Sequence, residues 1–291
     1  MGRALALIAL KISAALPFRL GYAIGYALGN LLFVVPNDLR RITRINLRIC
    51  FPELSNVERR GLERRSLIQL MCGALEMGAI WLWPGERLLR LVREVDGLDA
   101  LRDALDEGHG AIMLTPHLGA VEVTGLYCAL YFPGTSLYRP SRIGLDEEMS
   151  RWRGRLGHRL VPTDRQGVLA VRRALERGEV VGILPDQDPP RDGGVFAPFF
   201  GIESYTITLA SRLAISTGAA VLIVVAERLP QGRGFRLTCR RASDAIRREP
   251  VGASVATMNR EIETAIRRLP EQYLWSYKRF KTRPPGAKRR Y

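Results

Sequence analysis

Residues 109–130 read HGAIMLTPHLGAVEVTGLYCAL. The first part, 109–117, is a short apolar run stopped by Pro116, which predicts a buried strand. The second part, from Gly119 onward, predicts a helix. A strand running straight into a helix is the unit from which α/β folds are built. The same alternation continues downstream. TSLYRP (135–140) reads as a strand, DEEMSRWRGRLG (146–157) as a helix and RLVPT (159–163) as a short strand. GVLAVRRALERG (167–178) predicts a helix closed by Gly178, and VVGILPDQD (180–188) a strand running into a polar loop. TITLASRLAISTG (206–218) predicts a helix closed by Gly218, and AAVLIVVAER (219–228) a strand. Strands that alternate with helices imply an α/β fold with a mostly parallel central sheet covered by helices. No internal repeat, low-complexity tract or linker interrupts the chain.

Upstream, the character differs. Residues 1–36 hold no acidic residue, three basic ones (Arg3, Lys11, Arg19) and otherwise mostly apolar side chains. SAA at 13–15 makes a poor cleavage site, and the apolar character runs past it, which argues against a removed signal peptide. The uninterrupted stretch 20–35 falls short of the roughly 20 apolar residues of a spanning helix. A helix lying in the membrane interface, or one short tilted span, is the expectation; a buried core helix is the alternative. Gly21, Gly25 and Gly29 recur at every fourth position and allow close approach to another helix. The chain thus divides into a membrane-associated helical segment, 1–36, and a catalytic domain, 37–291. In DLRRITRINLRICF (38–51), Leu39, Ile42, Ile45 and Ile49 follow helical spacing. Ser55 and Glu58 form a capping box that opens a long helix to about Trp83.

Apolar residues make up 47% of the 291 and charged residues 25%, so a packed core is expected. The net charge of +15, nearly all from arginine, calls for an anionic partner. The arginine excess alone supports nucleic-acid binding; no nucleic-acid module accompanies it, and the apolar first 36 residues oppose it. Eight arginines between Arg40 and Arg65 suit anionic headgroups on a cytoplasmic membrane face. Cys50, Cys72, Cys128 and Cys239 are scattered and form no CxxC, which excludes a zinc cluster or disulfide framework and suits a reducing compartment.

In a parallel sheet, functional groups gather on loops beyond the strand carboxyl ends. Three polar stretches fall there: TPHLGAVE (115–122), YRPSR around Arg139, and LPDQDPPRDGG (184–194). They end runs expected to be adjacent. His117 precedes the helix and Glu122 lies one turn inside it. Five residues turn a helix by about 500°, so the two do not stack on one face. A histidine at the helix start can nevertheless fold back over the first turn, where a carboxylate would fix its tautomer and raise its basicity. With no protein nucleophile nearby, such a histidine suits direct deprotonation of a substrate hydroxyl. A capping or core histidine is the alternative. Asp186 and Asp188 read either as groups facing the histidine or as caps of their own loop; as a metal site they lack further ligands. VFAPFFG (195–201) is either core or the wall of an acyl groove. The closing FKTRPPGAKRRY (280–291) is basic without an acid and reads as a solvated tail. His109 and His158 sit in a turn and a basic stretch and carry no catalytic signal.

PHLGAVE resembles the His-x4-Asp/Glu motif of the glycerolipid and lysophospholipid acyltransferases. The ordered set YRP (138–140), GVLAVRRALERGEVVGILPDQD (167–188), VFAPFFG (195–201), LASRLAISTGAAVL (209–222) and PEQYLWSYKRFKTRP (270–284) is similar to one branch. That branch is the lipid A late acyltransferases, which acylate the Kdo-lipid A precursor. The resemblance implies a glycerolipid-acyltransferase-like fold. It implies O-acyl transfer from an acyl thioester, on acyl carrier protein or coenzyme A, to a hydroxyl of an anionic lipid acceptor at the cytoplasmic face of a bacterial inner membrane, without metal or other cofactor. A lysophospholipid or another polar lipid is the alternative acceptor. His117 would take the hydroxyl proton and Glu122 would orient His117. Backbone N–H groups near Leu118 and Gly119, with Arg139, would bind the oxyanion or acceptor, and Asp186 would face the site. The family often has Asn-Trp between histidine and acid; this chain has Ala120-Val121.

Overall fold

A computed structural model describes residues 2–138, 144–190 and 192–291. Five helices come first: α1 (Gly2–Ala15), α2 (Phe18–Val34), α3 (Asp38–Cys50), α4 (Asn56–Leu82) and the short α5 (Gly85–Leu89). The capping box is present at the start of α4: Ser55 Oγ accepts from the Glu58 N–H, and Glu58 accepts from the Ser55 N–H. Helix α2 lies tightly on α4. A Cβ on Gly29 would come within 2.3 Å of the Ile68 Cα, and one on Gly25 within 2.8 Å of the Cys72 Cα. Gly21, the third member of that stripe, meets nothing within 4 Å. No single helix among the described residues is long and apolar enough to cross a membrane; α2 and α3 pass by length and composition only as a pair bent by 79°.

The α/β part follows: β1 (Val92–Asp96), α6 (Asp99–Asp106), β2 (Ala111–Leu114), α7 (Val121–Tyr131), β3 (Gly134–Tyr138), α8 (Asp146–Gly154), β4 (Arg159–Pro162), α9 (Arg165–Glu176) and β5 (Val180–Ile183). Then come the hairpin β6 (Gly194–Phe199) and β7 (Ile202–Ile207), α10 (Leu209–Thr217), β8 (Ala220–Arg228), β9 (Phe235–Arg241), α11 (Ala245–Arg248) and α12 (Val251–Arg268). Seven strands form one sheet in the order β1-β9-β8-β2-β5-β3-β4. All neighbours run parallel except β8 with β9. The sheet is therefore α/β and mostly parallel, as the alternation predicts. The expected helix 206–218 starts late: Thr206 and Ile207 belong to β7, and the helix begins at Leu209.

Alternate residues of β2 feed two cores. Ile112 and Leu114 pack with Val181, Ile183 and Ile223 on one face, while Ala111 and Met113 pack with Leu126, Leu222 and Val224 on the other. A strand buried on both faces has no need of polar alternation, which is why AIML is uniformly apolar. Two of the three VFAPFFG aromatics are core: Phe199 and Phe200 pack tilted or edge-to-face against Phe51, Tyr273 and Trp275, while the half-buried Phe196 packs on Tyr205. The basic tail is not free either, since the Tyr291 hydroxyl donates to Asn46 and accepts from the Phe280 N–H.

Candidate active site

Strands β2 and β5 are paired in register, with Leu114 opposite Ile183. Three residues beyond each stands a functional group: His117 after β2 and Asp186 after β5. Equal excursions from registered parallel strands bring them face to face. The His117 Nδ1 lies 2.8 Å from Asp186 Oδ1, and the His117 backbone N–H donates to Asp186 Oδ2 at 3.0 Å. The carboxylate, which can only accept, fixes the ring proton on Nδ1. Nε2 is left with its lone pair and accepts from the Gln187 side-chain N–H at 2.9 Å. The His117 carbonyl accepts from the Leu274 N–H at 3.0 Å, so the backbone is clamped on both sides.

Burial works to lower the His117 pKa, but the charge and hydrogen bond of Asp186, with the Glu122 charge beyond, outweigh it and hold it above the ordinary imidazole value. Burial works to raise Asp186, and the charge and hydrogen bonds of His117 win, holding the carboxyl below its usual range. Burial and the Asp186 charge push the Tyr273 hydroxyl well up. Asp186 thus holds the His117 ring in the arrangement that a general base and its orienting carboxylate require.

Glu122, expected to orient His117, makes its side-chain hydrogen bonds elsewhere. It accepts from Arg153 Nε at 2.9 and 3.1 Å and from Arg153 Nη2. At the second position of α7, the Glu122 side chain reaches Arg153 of α8. Glu122 and Arg153 instead form a partly buried ion pair in the site wall, with the guanidinium 5.9 Å from the Trp81 ring centroid. The amides expected to bind an oxyanion are also committed. The Leu118 N–H donates to the Pro116 carbonyl, Gly119 to Gln272 and Ala120 to Ala226. Gly119 adopts a φ of +67° and so close an approach that a Cβ would come 2.2 Å from the Ala226 oxygen; its role is to let the loop pass close against β8. The next two N–H groups, of Val121 and Glu122, have no acceptor among the described residues. Arg139 lies outside the described residues.

Asp188, two residues beyond Asp186, serves structure. It accepts from the buried Arg279 Nη1 at 3.2 Å and from the Thr282 N–H at 3.3 Å. Sequence reasoning missed Gln187, Arg153 and Arg279. None carries a spacing signal relative to His117, because each arrives from a different element.

Two cavities meet at His117. The larger, about 650 Å³, lies over the sheet face of Met113, Gly182 and Ser136, between α7 and α8. The smaller, about 300 Å³, lies between α4 and the loop 271–276. Among the lining residues only His117, Val121 and Glu122 belong to both. A base placed in the wall between two cavities can join groups that arrive from different sides.

Residues 1–282 match the family profile of bacterial lipid A biosynthesis acyltransferases. The chain is 32% identical over 277 residues to the lipid A biosynthesis lauroyltransferase of Escherichia coli (strain K12), covering 95% of this chain and 90% of that protein. It is 35% identical over 254 residues to the lipid A biosynthesis palmitoleoyltransferase of the same organism, covering 86% and 81%. Similarity to its lipid A biosynthesis myristoyltransferase is lower, 26% over 251 residues, covering 85% and 76%.

Proposed function

Since the chain belongs to the bacterial lipid A biosynthesis acyltransferase family and is an acyltransferase, we propose that it moves a fatty acyl group from an acyl thioester to a hydroxyl of a lipid A precursor, with His117 as general base. The observation that carries the mechanism is the Asp186–His117 pair, which leaves Nε2 as a proton acceptor at the junction of two cavities. The acceptor hydroxyl displaces the Gln187 amide from Nε2 and gives its proton there as its oxygen attacks the thioester carbonyl. Asp186 stabilises the imidazolium. The oxyanion lies at the start of α7, where the Val121 and Glu122 N–H groups and the helix dipole favour negative charge. Collapse expels the thiolate, which takes the proton back from Nε2. The acyl chain occupies the larger cavity, whose size lies within the usual range for ligand sites. Acyl carrier protein is the proposed carrier, its acidic surface matched by the net charge of +15.

Membrane binding is part of the same reading. Leu5, Ile8 and Ile12 of α1, and Leu20, Leu31 and Val34 of α2, are exposed. They form apolar stripes on helices whose other faces pack on α4. Such stripes suit the interface of the cytoplasmic leaflet of an inner membrane. The test is His117→Ala in purified enzyme: acyl transfer from a dodecanoyl thioester should be lost with the fold intact. Retention of more than a few per cent of activity would overturn the mechanism. Lipid mass spectrometry of cells lacking the protein identifies the acceptor, and loss of acylation on a lysophospholipid rather than lipid A would redirect the substrate assignment.

A further inference from the structure

The smaller cavity carries polar groups that the chemistry at His117 does not use. Ser66, Gln69, Gly73 and Glu76 succeed one another at spacings of three and four along one face of α4, and all line it. The Ser66 hydroxyl is buried without a hydrogen-bond partner among the described residues, the side chain belonging to a residue only 5% exposed. Gln69 gives its N–H to the Tyr22 hydroxyl of α2 at 3.3 Å, which leaves Oε1, also buried and unpartnered among the described residues. A buried polar atom without a partner is costly, and native sites that keep one are commonly completed by water, an ion or a ligand.

The charges of the cavity do not favour an anion: its one arginine is paired, and Glu271 adds a carboxylate to its lining. Glu76 pairs with Arg228 at 2.8 Å, and Arg228 Nη2 donates to the Gly119 carbonyl at 2.9 Å. Gly73 makes room for this arginine, since a Cβ there would come 2.8 Å from Nη2. With its one arginine committed, the cavity has no free cation for phosphate among its described residues. What it offers is a carbonyl oxygen that accepts, a hydroxyl that accepts or donates, and the Glu271 carboxylate, which accepts. The matching ligand is uncharged and donates hydrogen bonds through O–H or amide N–H.

Resting on the acyl-transfer reading above, we propose that this cavity is the acceptor subsite. It takes an uncharged, hydroxyl- or amide-bearing arm of the lipid acceptor, held by Ser66 and Gln69, and delivers the reacting hydroxyl to His117 from the side opposite the acyl chain. Phosphate groups of the acceptor stay outside.

The test uses the full chain, a dodecanoyl thioester as donor and an uncharged 3-hydroxyacyl amide as acceptor probe. Ser66→Ala/Gln69→Leu should raise the acceptor KM roughly tenfold to a hundredfold, the loss of two neutral hydrogen bonds, and leave the thioester KM unchanged. Ala74→Trp, which fills the exposed mouth of the cavity, should have the same selective effect without touching the core, and decides the matter if the double variant does not fold. The same probe phosphorylated on its amide arm should fail to compete. An unchanged acceptor KM in the folded variants, a thioester KM that rises instead, or equal competition by the phosphorylated probe overturns the proposal. His117→Ala in the same assay separates the two levels: activity there sinks the mechanism, whereas its loss alongside an unmoved acceptor KM sinks only the subsite.

Discussion

Asp186→Asn removes one negative charge and one acceptor while keeping the shape. The wild-type carboxylate accepts two bonds from His117, at 2.8 and 3.0 Å. An amide has one oxygen. If that oxygen keeps the backbone N–H, the NH2 faces Nδ1, and the ring must carry its proton on Nε2, where it cannot act as a base. Losing a hydrogen bond to a charged group costs about 1.5–3 kcal/mol. The imidazolium formed during the reaction also loses its counter-charge, about 4 kcal/mol at ~4 Å and an effective dielectric near 20. The two overlap, so a total of about 5.5 kcal/mol is reasonable, which is ~10⁴ in rate. That agrees with the size of effect known for a mis-set tautomer in a serine-protease triad. The assay is thiol release from a dodecanoyl thioester with saturating acceptor, alongside a melting curve. The residual activity should also have its acid limb at lower pH: the base works only when neutral, Asp186 helps hold the His117 pKa up, and its loss lowers that pKa. A folded Asp186→Asn enzyme with more than about a tenth of wild-type kcat would refute this assignment.

Gln187→Glu places a carboxylate against Nε2. An opposite charge at this range moves a pKa by about 1–3 units, so the acid limb of kcat/KM should shift upward; an unmoved limb means that Gln187 does not meet the base in solution. Arg279→Met leaves Asp188 without its buried partner and should cost about 3–5 kcal/mol, with part recovered in Arg279→Met/Asp188→Asn; a melting temperature unchanged within about 2 °C contradicts the pairing. Leu31→Asp/Val34→Asp exchanges two exposed apolar side chains for charge. Sedimentation with anionic vesicles should show at least about tenfold weaker binding, and equal binding would move the membrane contact elsewhere.

The alternation of strands and helices was legible because β2, β5 and β8 are buried on both faces and so uniformly apolar. His117 was legible because it ends such a strand. Its partner was read wrongly for a local reason: Glu122 is five residues away in sequence, but the turn of α7 carries it to Arg153. The better signal was distal. Asp186 stands three residues past Ile183 as His117 stands three past Leu114, and Leu114 pairs with Ile183. Strand register, which no spacing within one segment reveals, decides the contact. Arg153 and Gln187 were invisible for the same reason. The β6–β7 hairpin took Thr206 and Ile207 from the expected helix because their backbones pair with Val195 and Gly194.

The amino-terminal helices bear on the chemistry through packing. Gly29 and Gly25 bring α2 onto α4, and Tyr22 of α2 holds Gln69. The face of α4 beside the one that meets α2 then forms the wall of the smaller cavity, with Arg228 seated over Gly73. A stripe of apolar residues facing outward on α2 and a polar cavity facing inward on α4 are thus two sides of one helical layer. On the proposed reading, a lipid acceptor held in a membrane would lift only one arm past that layer to reach Nε2, with the acyl chain in the larger cavity beside α8. Val121 lines both cavities. On the acyl-transfer reading proposed above it would stand where the two substrates meet, and its size would set how closely the thioester carbonyl and the incoming hydroxyl approach beside His117.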